Sequence, residues 1–144
     1  MPFQPVTNVD HMEEAIAKAG TSTTKPWKPC KGAEGFKLQY FMASTTAPSI
    51  TWSLQICNVP PGFRPDETNI GADGKHLLDP DSTVRNNYRT VEIVAAATTQ
   101  DEWVYYPTPT ELKYPFMYYR SVIVEGNVGA VDSISTKITF NGMR

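Results

Sequence analysis

The residues in this 144-residue chain that could do chemistry are few and scattered. His11 and His76 are the only histidines, and neither has a visible third partner for a nucleophile–base–orienter set. There is no GxSxG elbow, no HExxH pair and no glycine loop of the kind that cradles phosphate. Glu13 and Glu14 are sequence neighbours that splay apart on a helix, and Asp101-Glu102 falls at a turn; nothing in the sequence points to a glycosidase-like carboxylate pair. Asp66, Asn69, Asp73, Asp79 and Asp81 supply oxygen atoms, but they miss the EF-hand spacing and lack its terminal Glu. Cys30 and Cys57 are too few for a disulfide scaffold or a zinc site. A bridge between them is disfavoured in a reducing cytosol. Arg120, flanked by Tyr118, Tyr119 and Val122, is the charged residue of most interest. It reads as a structural ion-pair partner in a central strand, with a sheet-edge contact as the alternative. The expectation is a protein that is not an enzyme and carries no cofactor and no metal.

Composition sets the frame. The length fits one domain that buries its own core. A charged content of 19% against 40% hydrophobic is globular rather than disordered. Twelve prolines and nine glycines imply many turns, which suits an all-β chain. A net charge of −2 argues against nucleic-acid binding, which needs a basic patch to displace counterions. No apolar run approaches the roughly 20 residues of a membrane span. MPFQPVTNVD has neither the basic nor the apolar region of a secretory signal, so synthesis in the cytoplasm is expected.

The strands follow from period-two alternation. Ile50, Trp52, Leu54 and Ile56 alternate with Thr51, Ser53, Gln55 and Cys57, which puts Cys57 on the face away from the core. Residues 36–43 form a strand expected to pair with 50–58 as an antiparallel hairpin with a longer loop. Residues 88–97 form another, with Val91, Ile93 and Ala95 on one face, and 102–106 a short aromatic one. Residues 114–142 read as two long strands, 116–125 and 131–140, joined by a turn at Gly126-Asn127-Val128-Gly129. Ile134, Ile138 and Phe140 share the inward face of the last strand. With Ile50, Trp52, Leu54, Ile56, Val91 and Ile93 they make up the expected core.

Two segments fall outside this pattern. Residues 1–35 read as an extended arm, one short helix and a linker preceding the sandwich at 36–144. Thr7 caps the helix, Val9, Met12, Ile16 and Ala19 form its apolar stripe, and Gly20 stops it. A helix of about eleven residues is marginal alone and needs a surface, on its own domain or on a neighbour. Trp27, in the proline-flanked stretch Lys25–Pro29, needs a pocket. Residues 59–87 form a long loop, and loops of this length tend to be functional. Phe3, Val9, Met12, Ile16, Trp27, Phe63 and Arg64 are the candidate partner-contact residues.

The strand 50–58, the variable loop after it and the stretch 114–142 are similar to small jelly-roll accessory proteins of tailed-phage virions, among them capsid decoration or cement proteins. The matching residues are Pro115, Phe116, Tyr119, Arg120, Gly126, Asn127 and Gly129. The likeness covers about half the chain and is one of style, without a diagnostic motif. The same ending also looks like galactose-binding-like sandwiches that bind sugars. The first resemblance implies a jelly-roll-like antiparallel β-sandwich and a structural virion protein. Such a protein stabilises the capsid lattice through contacts with the major capsid protein or other virion proteins, as a homo-oligomer. The alternative is a carbohydrate-binding module for receptor or glycan adhesion. Exposed Trp or Tyr faces with polar neighbours would mark a sugar site, whereas a cement protein buries them at protein contacts.

Overall fold

The computed structural model describes residues 5–16, 22–30, 35–43, 49–97, 103–107, 109–113, 116–125 and 132–143. Nine strands run through them: β1 (Pro5–Ile16), β2 (Ser22–Thr24), β3 (Lys28–Pro29), β4 (Gly35–Ala43), β5 (Ile50–Cys57), β6 (Arg89–Ala97), β7 (Trp103–Tyr106), β8 (Tyr118–Glu125) and β9 (Asp132–Met143). A 3-10 turn, Thr110–Lys113, precedes β8 and buries Leu112 completely. The first sheet has the order β1-β9-β4-β7 and the second β2-β8-β5-β6, with β3 also paired to β8. All pairings are antiparallel. Because β2 and β3 lie end to end along β8, they occupy one strand position. The result is the eight-position, double-sheet arrangement of a jelly roll.

The core fills the space between the sheets. Leu38, Tyr40 and Ile138 enter it from the first sheet, and Ile50, Trp52, Leu54, Ile56, Val91, Val94, Tyr119 and Ile123 from the second. β5 alternates as its sequence requires, with its even-numbered residues buried. β6 departs from simple alternation. Its register on β5 slips on either side of Trp52, which lies opposite Val94 while Ser53 lies opposite Glu92. This bulge puts one extra residue between the inward positions, so Val91 and Val94 are buried and Ile93 is only partly so. The expected phase Val91–Ile93–Ala95 is therefore corrected; Ala95 is exposed. The side chains of Ile134 and Phe140 lie outside those described.

The N-terminal helix is also corrected. Residues 5–16 form the longest strand together with β9, and all twelve pair with it, from Pro5 opposite Met143 to Ile16 opposite Asp132. Val9, Met12 and Ile16 recur at helical spacing, but a helix of that length has little stability of its own, and a continuous ladder outweighs it. The stretch read as a linker also contains strand, at Ser22–Thr24 and Lys28–Pro29. Its backbone tracks β8, with Lys25 N–H donating to the Ser121 carbonyl and Cys30 N–H to that of Met117. Pro26 and Pro29, which have no N–H to donate, are tolerated because this is a sheet edge.

Two expected hairpins are not formed. β4 and β5 belong to different sheets, and so do β8 and β9. Each of the last two strands sits in the interior of a sheet: β9 between β1 and β4, and β8 between β2 and β5. The turn 126–129 and the pair Asp101-Glu102 lie outside the described residues, as does Phe3.

Candidate functional site

The outward face of the second sheet carries the most elaborate polar arrangement in the described chain. Tyr119, Ser121 and Ile123 of β8 point into the core, so Arg120 points out, opposite Gln55 of β5. Its Nε donates to Gln55 Oε1 at 2.6 Å, and an Nη donates to Asp81 Oδ1 at 3.1 Å. Trp27 Nε1 donates to the same Asp81 oxygen at 2.9 Å. The Arg120 guanidinium lies 4.2 Å from the Trp27 ring centre and 5.1 Å from that of Tyr88. Charge-assisted bonds and a cation over two aromatic rings reinforce one another here. The Arg120 side chain is only 15% exposed and Asp81 33%. Arg120 is thus an ion-pair partner, as its sequence context suggested. Trp27 has its pocket on its own domain, made by residues distant in sequence.

Asp81 reaches this cluster because the segment between β5 and β6 is a folded loop held by its own side chains. Asp66 Oδ1 accepts the N–H groups of Thr68 and Asn69. Asp73 accepts those of Lys75 and Thr83, Asp79 that of Asp81, and the Ser82 hydroxyl those of Val84 and Arg85. These are side-chain-to-backbone turns, the local alternative to a ladder. They tie the carboxylates of Asp66, Asp73 and Asp79 to separate backbone donors. Among the described residues no group of three or more His, Cys, Asp or Glu side chains could hold a metal ion. Hydrogen bonding from Thr68, then Asn69, lowers the Asp66 carboxyl to about 2. The Thr83 N–H is the main cause of the lowered pKa at Asp73.

His76 lies at the centre of the loop, 2% exposed. Its Nδ1 accepts the Leu78 N–H, which leaves the ring proton on Nε2. Nε2 is 3.3 Å from Asp66 Oδ1, within ion-pair reach but off hydrogen-bond geometry. Phe63 meets the imidazole edge-on at 6.0 Å, so this expected contact residue packs within the loop, half-buried. Arg64 is exposed and pairs with Glu67. Gly74 holds a turn at a φ of 78°, where only glycine is unstrained.

Beside the cluster a groove of about 410 Å³ opens where the loop leaves β5 and rejoins β6. Buried Cys57 and half-buried Val59 form its base beside the backbone of Ile56, and Leu78, 47% exposed, forms an apolar lip. Asn58, Asn86, Asn87 and Arg89 give it polar edges. Tyr88 belongs both to the groove and to the Arg120 cluster. Sequence reasoning missed this site, because its two halves are separated by the whole loop. The only local signal was Asn86-Asn87-Tyr88 at the entrance to a strand.

Cys57 alternates outward as expected, yet the loop covers it and its thiol donates to the Val59 carbonyl at 3.4 Å. Both cysteines are free. They flank Met117, whose carbonyl accepts from Cys30 N–H and whose N–H donates to the Cys57 carbonyl. Backbones on opposite sides of one strand are about 9–10 Å apart, beyond disulfide reach of about 7 Å. Burial pushes the Cys30 thiol up to about 12 and the Cys57 thiol to about 11, so both stay protonated and unreactive at neutral pH.

A second aromatic site lies on the first sheet. Trp103 of the edge strand β7 is 40% exposed and meets Phe41 at 5.7 Å between ring centres. Comparison with family models, with curated proteins and with solved structures found no match for this chain.

Proposed function

We propose that this chain is a structural protein of a virion. It works through protein–protein contacts and, most specifically, decorates and stabilises a capsid lattice. The observation that carries this reading is the strand order, β1-β9-β4-β7 against β2-β8-β5-β6. Jelly rolls of this kind build viral shells as well as lectin domains. The step from fold to role is an analogy of architecture, joined to the resemblance carried by Pro115, Phe116, Tyr119 and Arg120. The polar cluster around Arg120 adds support, since Arg120, Asp81 and Trp27 are spent on one another. What remains outward for a partner includes the Phe41–Trp103 pair and the exposed Met117 and Val84. No described helix is long and apolar enough to cross a membrane.

The test is the mass of the purified chain in solution, alone and mixed with empty capsid shells, by sedimentation velocity and negative-stain microscopy. Self-association, together with saturable binding to a shell, is the expected result. A chain that stays monomeric and sediments free of every shell would sink the reading.

A further inference from the structure

We infer that the groove between the two ends of the β5–β6 loop is a sugar-binding site, and that it selects a glycan unit bearing an N-acetyl group. The inference goes beyond the assembly reading and does not depend on it.

What each amide of the groove has left to offer decides the ligand. Asn58 Oδ1 accepts the Met117 N–H at 3.1 Å, which leaves the Asn58 amide NH2 to donate. Asn87 is the reverse case: its NH2 donates to the Leu77 carbonyl, which leaves its Oδ1 to accept. The groove therefore presents one amide donor and one amide acceptor, already fixed by their other bonds. An acetamido group is the complement, with a carbonyl, an N–H and a methyl. The methyl finds an apolar surface in Val59 and Leu78. Burial keeps the Cys57 thiol neutral, so the base of the groove carries no charge. Exposed Asn86 supplies a further amide for ring hydroxyls, and Tyr88 an aromatic ring.

Size and rigidity agree. A volume of about 410 Å³ lies in the range of small-molecule sites. Tyr88 is held from within by Arg120 and Trp27, so the groove is set before a ligand arrives. Arg89 is the one cationic residue lining the groove, too little for a nucleic-acid backbone.

The experiment is a titration of the isotope-labelled full chain with N-acetylglucosamine and N-acetylgalactosamine, with glucose and galactose in parallel, followed by amide chemical shifts. Saturable shifts at residues 57–59 and 86–89 are expected with the N-acetyl sugars, and several-fold weaker binding of the parent sugars. Two variants at exposed positions leave the fold intact. Asn86→Ala should weaken binding by about threefold to tenfold, the range for one lost neutral hydrogen bond. Leu78→Arg should weaken it by crowding the lip. Absence of saturable shifts, shifts elsewhere on the molecule, or unchanged affinity in both variants would overturn the site. Equal binding of the parent sugars would overturn the N-acetyl assignment.

Discussion

Along β5, Ile50, Trp52, Leu54 and Ile56 meet the opposite sheet, while Thr51, Ser53 and Gln55 look outward. β8 does the same, with Tyr119 and Ile123 inside and Arg120 outside. The inner face is held by apolar area, which is non-directional and tolerates no cavity. The outer face is held by a few directional bonds from Arg120 and Trp27 to residues on other segments. The first kind of order fixes the sandwich. The second positions the loop that carries the groove. Damage to the two faces should therefore look different.

The largest effect comes from removing the frame that both faces share. Deleting residues 1–24 removes β1 and β2, leaving β9 without its twelve-residue neighbour and β8 without part of its edge cover. An unpaired ladder of that length is costly and invites aggregation. We expect no cooperative thermal transition by circular dichroism. A truncated chain that still melts cooperatively would return these residues to the status of an arm.

Next comes the inner face. Trp52 is fully buried, and its Nε1 makes only a long 3.5 Å contact with Ser121. Trp52→Ala should cost about 3–5 kcal/mol, chiefly by leaving a cavity. Chemical denaturation would measure it, and a change below about 1 kcal/mol would mean that the tryptophan is not in the core.

The outer face should respond less, and in a different observable. Arg120→Ala removes two charge-assisted bonds and the cation over Trp27 and Tyr88, worth about 2–3 kcal/mol together. Its signature is local: faster amide exchange around Asp81 and Tyr88, with core amides slowed or quickened only as far as global stability changes. Arg120→Lys keeps the charge but loses the planar fork, so it should recover part of the loss. Uniform loss of protection across core and loop, with no local excess, would erase the distinction between the faces.

These two kinds of order also differ in how legible they were. The inner face of β5 could be read from alternation alone, because burial on one face of a strand imposes period two. Val94 could not, because a bulge changes the phase without marking the sequence. β1 read as a helix because Val9, Met12 and Ile16 fit that period, while its pairing to β9 joins opposite ends of the chain. The last two strands were legible as strands but not as members of different sheets. That Trp27 required a pocket was readable; that Asp81, 54 residues away, supplies it was not. The groove was hidden for the same reason, since Asn58 and Asn87 come to line one groove only after the loop has closed.

The smallest effect isolates the loop from both faces, and it is a pH effect. The carboxylate of Asp66 accepts the Thr68 and Asn69 N–H groups, and this holds its pKa at about 2 against an ordinary value of 3.8. A group with a lowered folded pKa binds fewer protons folded than unfolded, so its contribution is complete above the unfolded value. It then declines as pH falls from about 3.8 towards 2 and is absent below that. Within this window the Thr68 and Asn69 amides should lose protection before those of β5. Asp66→Asn separates charge from geometry. Its side-chain oxygen still accepts both N–H groups, but it does not titrate, so the loop-specific pH dependence should disappear while the turn persists. If protection at Thr68 and Asn69 falls identically in both proteins, the acid sensitivity comes from elsewhere in the loop. Asp73, whose pKa is lowered chiefly by the Thr83 N–H, is then the residue to change next.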